Sequence, residues 1–251
     1  MSTAESGQDP QNIYDNTEFF VGYKALRQND SGLNGAMEIP ALRSMLPALS
    51  GRSILDLGCG FGDFARYARQ AGAASVVAVD VSARMLDEAV GQTDDRAIAY
   101  RHSSIEQYLP EAKSFDLVVS SLALHYVPDY EAVVHRVYAA LKPGGWFVFS
   151  VEHPTCTANS MGWIRNAAGE SVGWSLDHYQ EEGRRATTWF VDGVIKYHRT
   201  IATYVNTLIR AGFRVQMLCE PTPTAEALAL RPALLAENRR PPFLLLAAVR
   251  P

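Results

Sequence analysis

The apolar residues of this chain recur with two different spacings. Short apolar runs at Ser53–Leu57 and at 76–79, 117–120 and 146–151 read as strands buried on both faces, since a half-exposed strand would alternate with polar residues. Residues 97–101 form a weaker strand of the same kind. Between these runs, apolar positions three and four apart predict helices over 63–71, 83–90 and Tyr130–Ala140, with a short helical piece at 104–108. Lys142-Pro143-Gly144-Gly145 is a turn. A helix at 201–211 and strands at 213–218 and Phe243–Val249 close the series. Strands alternating with helices predict a doubly wound α/β fold, with a mostly parallel seven-stranded sheet covered on both faces.

Two regions stand outside this rhythm. Residues 1–12 are polar and predict a loose tail. Phe19, Phe20, Tyr23 and Leu26 share one face of a helix over 17–27, which is followed by a turn at Asn29-Asp30-Ser31-Gly32 and a second helix over 37–46. After the fifth strand the pattern breaks for about fifty residues. The stretch 152–200 holds three of the four tryptophans (Trp163, Trp174, Trp189) and three of the six histidines, and a segment this long inside a compact domain is usually functional. The expected organisation is therefore an N-terminal tail and lid helices (1–50), a core (51–151), an inserted cap (152–200), and a C-terminal helix and strands that complete the core (201–251). No internal repeat is visible.

Composition narrows the possibilities. Apolar residues make up 47% of the chain and charged residues 20%, enough to bury a full core. A net charge of −4 provides no field to draw in a phosphate backbone, so nucleic acid is not an expected partner. Cys59, Cys156 and Cys219 are widely spaced and odd in number, which suggests neither a disulfide framework nor a metal site. With no signal pattern and no long apolar run, the expectation is a cytoplasmic protein without a membrane partner, as monomer or homodimer.

The chemistry concentrates where the first strand meets its helix. Ile54-Leu55-Asp56-Leu57-Gly58-Cys59-Gly60-Phe61-Gly62 runs a buried strand into a glycine turn, which lets backbone approach a ligand. The third glycine of a dinucleotide fingerprint is replaced by Asp63, which would set like charge against a pyrophosphate. Asp56 instead supplies a carboxylate for a ligand bearing an ammonium group. The second strand ends in Asp80, an acceptor for both hydroxyls of a ribose. Together these features describe S-adenosylmethionine (SAM).

With Val79-Asp80-Val81-Ser82, Phe115-Asp116-Leu117-Val118-Val119-Ser120 and Leu141-Lys142-Pro143-Gly144-Gly145 following in order, the chain resembles the class I SAM-dependent methyltransferases. The resemblance is to the bacterial small-molecule group related to the ubiquinone and menaquinone biosynthesis enzymes, and it implies a Rossmann-like methyltransferase fold. It implies that Gly58, Gly60 and Gly62 contact the methionine part of the cofactor, with Asp80 on the ribose and Met85 against the adenine. Ser104 and Ile105 fall at the adenine edge, where relatives often have an acid at position 104. Cys59, Val81 and Ser120 belong to the same set, and Tyr23 and Arg27 cover the cofactor and its carboxylate. S-adenosylhomocysteine is the implied product.

The acceptor side is marked by His125 after the fourth strand, His153 after the fifth, and His198 at the end of the insertion. Each has the chemistry to take a proton from an acceptor N–H or O–H. Tyr14, Phe19, Glu152, Trp163, Trp174 and Tyr197 are the expected substrate contacts. Asp116 is expected to fix a turn, and Cys59 to fill space. The expected reaction is methyl transfer to N or O of a small molecule, with aromatic and heterocyclic acceptors among the candidates. Two alternatives remain: the same chemistry on RNA or protein, and a catalytically silent SAM-binding partner on the same fold.

Overall fold

The computed structural model describes residues 10–28, 32–158 and 161–251. The expected tail therefore lies largely outside the described residues, as do Asn29, Asp30 and Ser31 of the expected first turn.

The central sheet contains β1 (Ser53–Leu57), β2 (Ser75–Asp80), β3 (Ile98–His102), β4 (Phe115–Ser120), β5 (Leu141–Glu152), β10 (Arg214–Cys219) and β11 (Phe243–Val249). Their order is β10-β11-β5-β4-β1-β2-β3, parallel except that β11 runs antiparallel to both of its neighbours. The apolar runs are explained by two-sided burial. Ile54, Val76 and Val119 enter one core, against α2 (Ile39–Ser44) and α3 (Asp63–Gln70); Leu55, Val79 and Val118 enter the other, against α5 (Tyr130–Ala140) and α7 (Ile201–Arg210).

Chain order reverses between β1 and β4, which pair directly: β1 leads outward to β2 and β3, β4 to β5. A crevice at the carboxyl ends of these two strands follows from the topology. Polar contacts fix both edges of the sheet, Ser82 at the carboxyl edge that carries the crevice and Asp116 at the opposite, amino edge. Ser82 caps α4 (Ala83–Gly91) by accepting from Met85 N. Asp116 accepts from Ser53 N and Lys142 Nζ, both at 2.9 Å, tying the start of β1 to the Lys142–Gly145 segment.

Several elements differ from expectation. Residues 104–108 form a turn, with Ser104 Oγ accepting from Gln107 N, because one side-chain cap over five residues cannot nucleate a helix. The Lys142–Gly145 turn is a bulge within β5, whose pairing with β4 jumps from Phe115↔Leu141 to Leu117↔Trp146. The second helix starts earlier, with a π-turn at Asn34–Glu38 running into α2. Two elements unforeseen in the sequence, α8 (Ala225–Leu230) and a 3-10 stretch at Pro232–Arg239, join β10 to β11.

The insertion is built of hairpins. After α6 (Pro154–Thr157), β6 (Trp163–Arg165) pairs with β7 (Ser171–Trp174), and β8 (Gly183–Trp189) pairs with β9 (Val191–His198). The tip of the β8–β9 hairpin rests on α1 (Thr17–Gln28): Phe19 meets Trp189 and Phe190 edge-on at 5.3 and 5.5 Å. Gly22 admits the Phe190 ring, since a Cβ there would lie 2.6 Å from it. Among the described residues no helix is long and apolar enough to cross a membrane.

Candidate functional site

A cleft of about 770 Å³ opens at the switch point, under α1 and the inserted hairpins. This volume lies in the upper part of the range for ligand pockets, which run to roughly 1,000 Å³. The cleft has two chemically distinct ends.

The β1 turn forms the floor of the first. Gly58 adopts φ +78°, and a Cβ there would lie 2.4 Å from the Ala123 Cβ, so only glycine lets the β1 and β4 loops approach. Gly60 N–H donates to Asp80 Oδ2 at 2.7 Å, and Ser82 N–H donates to Oδ1 at 2.9 Å, which fixes the acid at the end of β2. Asp56 is 1% exposed, and its Oδ2 has no hydrogen-bond partner among the described residues. Burial, reinforced by Asp80 and Asp63, pushes its carboxyl up to about 8. A buried carboxylate with an open oxygen on a cleft wall calls for a cationic or hydrogen-donating ligand.

Gly58, Cys59, Gly60, Val81, Met85, Ser104 and Ile105 also line this end. Gly62 and Ser120 do not. Gly62 (φ +74°) turns the chain into α3 behind the loop, against Tyr100, and Ser120 is buried with its hydroxyl donating to Leu57 O at 2.8 Å. Tyr23 and Arg27 line the cleft from α1, with Tyr23 stacked on Phe61 at 5.9 Å. The Arg27 guanidinium is engaged by Asp63 Oδ2 at 2.8 Å.

At the other end are Tyr14, His125, Glu152 and Trp174, with Trp189, another of the insertion's tryptophans, and with Tyr126 and Lys196, which no local pattern in the sequence marks as site residues. His125 is 4% exposed, and its Nδ1 accepts from Glu152 N–H at 3.2 Å. Burial, with Lys196 and Arg199 nearby, holds this imidazole well below the usual histidine range. A neutral ring that accepts at Nδ1 carries its proton on Nε2. His125 is therefore a hydrogen-bond donor rather than the proton acceptor expected. Lys196 Nζ pairs with Glu152 Oε2 at 2.5 Å and lies 5.6 Å from the Trp189 ring centre.

The other two histidines do not line the cleft. His153 caps α6 through Nδ1 and pairs with Glu220 at 2.9 Å through Nε2. His198 is fully buried, with Nδ1 on the Thr157 hydroxyl at 2.7 Å and Nε2 on Tyr179 O at 2.9 Å. With both ring nitrogens engaged, neither is placed to meet an acceptor. Three further expected contacts are also displaced. Phe19 is fully buried among Tyr14, Tyr23, Trp189 and Phe190. Trp163 packs edge-on against Trp174 at 5.3 Å, leaving Trp174 to face the cleft. Tyr197 neighbours Lys196 on β9 and points to the opposite face, as alternation requires.

Glu38 does not line the cleft but holds Ser121, which does, and sequence reasoning did not single it out. It is buried in the π-turn, accepting at Oε1 from Ser121 and Ser150 at 2.8 and 2.5 Å, while Oε2 has no partner among the described residues. No local pattern marked it, because its partners come from the loop after β4 and from β5.

A sheet of this strand order, with a glycine turn at its switch point, an acid fixed at the end of β2 and an open buried carboxylate beside it, defines the SAM-binding class of doubly wound proteins. Comparisons agree. Residues 55–149 match the family described as "Methyltransferase domain". An S-adenosylmethionine-dependent methyltransferase from Mesorhizobium loti is 46% identical, with a TM-score of 0.82 over 87% of this chain and 100% of the other. A protein of Haemophilus influenzae is 38% identical over 83% of this chain and 85% of its own length. A malonyl-[acyl-carrier protein] O-methyltransferase of Enterobacter lignolyticus is 38% identical over 51% of this chain and 48% of its own length. The chain belongs to the SAM-dependent methyltransferases, and it is an enzyme of that class.

Proposed function

We propose that the chain transfers the methyl group of SAM to nitrogen or oxygen of a small molecule held at the His125 end of the cleft, with residues 152–200 serving as the substrate cap. One observation carries this reading: the two ends of a single cleft have different electrostatic character. One offers the open carboxylate of Asp56 with Asp80, suited to an ammonium and a ribose. The other offers donors, His125 Nε2–H and Lys196, with aromatic walls from Tyr14, Tyr126 and Trp174.

The cofactor supplies an electrophilic methyl on a sulfonium. The chain's own task is alignment and exclusion of water. Asp56 Oδ2 holds the ammonium, Asp80 the ribose, and Met85, Ser104 and Ile105 surround the adenine. Gly58, Cys59, Gly60 and Val81 form the cradle, and Tyr23 and Arg27 close over it. Tyr14 and the Trp189 hairpin tip shut the acceptor end from solvent. His125 steers the acceptor by donating from Nε2; because that bond occupies one lone pair, it goes either to an oxygen that keeps another for the methyl or to a group beside the reacting nitrogen. The O-methyltransferase named above supports oxygen as one such atom.

The test is incubation of purified protein with methyl-labelled SAM and a broad panel of small amines, phenols and carboxylic acids. Label transfer to one chemical class, reduced on His125→Ala, is expected. Transfer only to added RNA or protein, or to nothing while S-adenosylhomocysteine binds, would overturn the reading in favour of a macromolecular methyltransferase or a silent binding partner.

A further inference from the structure

Arg240 occupies an unusual position in the acceptor end. It begins the Arg240-Pro241-Pro242-Phe243 segment leading into β11, and Phe243 pairs with Glu152 at the end of β5. Arg240 therefore lines the cleft together with Cys156 and Trp174. Its side chain is only 13% exposed, with its carbon centre 4.3 Å from the Trp174 ring and 5.7 Å from the Trp163 ring. A buried guanidinium ordinarily fills its donors with carbonyls or carboxylates. Here Nη2 meets Glu237 Oε2 at 3.1 Å, while Nε and Nη1 are buried and have no partner among the described residues.

The surrounding acids are already committed. Glu152 pairs with Lys196 and Glu220 with His153. Cys156 offers only a thiol, which burial pushes up to about 12, so it brings no negative charge. Arg239, the next cation, spends one donor on Ser171 O and lies 4.9 Å from Trp163. Arg240 is thus a cleft-lining cation paired with Glu237, with two buried donors, Nε and Nη1, that no described neighbour fills.

We propose that Arg240 anchors a carboxylate carried by the methyl acceptor, making the substrate a small organic acid whose apolar part lies along Trp174. With Nη2 on Glu237, Nε and Nη1 lie on different edges of the guanidinium, so it offers an anion a single contact rather than a fork, which suits a singly charged carboxylate better than a phosphate dianion. This inference rests on the small-molecule reading above and narrows its substrate class.

The experiment separates the two. Wild-type protein saturated with S-adenosylhomocysteine is titrated with benzoate, phenylacetate and hexanoate, with the matched primary amides, and with inorganic phosphate. At least one acid is expected to bind about tenfold or more tightly than its amide, since a charge-assisted bond is lost in the amide. Arg240→Gln is expected to erase that preference, and Arg240→Lys to restore part of it, with unchanged affinity for S-adenosylhomocysteine in both. Amides binding as well as acids, phosphate binding more tightly than every acid, no acid binding at all, or an acid preference that survives in Arg240→Gln would each overturn the proposal. Failure of S-adenosylhomocysteine itself to bind would instead strike the cofactor reading. The acid–amide comparison on wild type decides the matter even if a variant does not fold.

Discussion

With the cofactor's ammonium placed on Asp56 as proposed, cofactor binding is predicted to depend on pH, and the size of the effect follows from the surroundings of this residue. Its carboxyl is held up to about 8 by burial, with Asp80 and Asp63 adding to the shift. At pH 7 only about a tenth of the chains then carry the ionised form that an ammonium requires. Binding S-adenosylhomocysteine should release about 0.9 proton at pH 7. The apparent affinity should rise by about fiftyfold between pH 6 and pH 8, roughly 2.3 kcal/mol, and level off above that. Calorimetric titrations in two buffers of different ionisation enthalpy measure the proton directly. Asp56→Asn should abolish both the release and the slope, and weaken binding at pH 8 by about 10- to 100-fold through loss of a charge-assisted bond. Stability moves the other way. Because the folded carboxyl titrates above its ordinary value of 3.8, its stabilising share is complete below that value and is lost as pH rises towards 8. The ligand-free Asn variant should therefore melt several degrees above wild type at pH 8. A flat affinity from pH 6 to 8 with no proton released would refute the assignment of Asp56 to the ammonium.

Other consequences follow from single positions. Nitrogen chemical shifts of His125 should report a neutral Nε2–H ring that does not titrate between pH 5.5 and 8, since its pKa is held low by burial, Lys196 and Arg199; a normal titration near 6.5 would contradict the donor role. Gly58→Ala forces a side chain into φ +78° and to 2.4 Å from the Ala123 Cβ, and should reduce cofactor affinity at least tenfold in calorimetry while lowering the melting temperature. Phe19→Ala removes a fully buried ring beneath the hairpin tip and should cost about 3–5 kcal/mol in denaturant unfolding; a loss under 1 kcal/mol would mean the tip does not rest on α1.

What was legible in the sequence depended on how far apart the determining residues lie. The core strands were legible because burial on both faces leaves an uninterrupted apolar run, as in Ile54-Leu55 and Leu117-Val118-Val119. Asp56 and Asp80 were legible because strand and turn alone carry them to adjacent points on one sheet edge. The acceptor end was not, because its chemistry is settled by pairings across the chain. His125 becomes a donor through the backbone of Glu152, 27 residues away. Lys196, rather than Tyr197, meets the cleft because a two-residue period places only alternate side chains of β9 on one face, and the face was set by a hairpin that the aromatic spacing did not reveal. His153 and His198 drew attention as isolated imidazoles, yet Glu220, Thr157 and Tyr179 fill their nitrogens from other segments. Local pattern thus brought out the residues that line the β1–β2 end of the cleft, where one strand and its turn suffice. The opposite end, proposed for the acceptor, is assembled from residues of β5, β9 and the Arg240 segment, and only the folded chain reveals which polar groups there lack partners among the described residues.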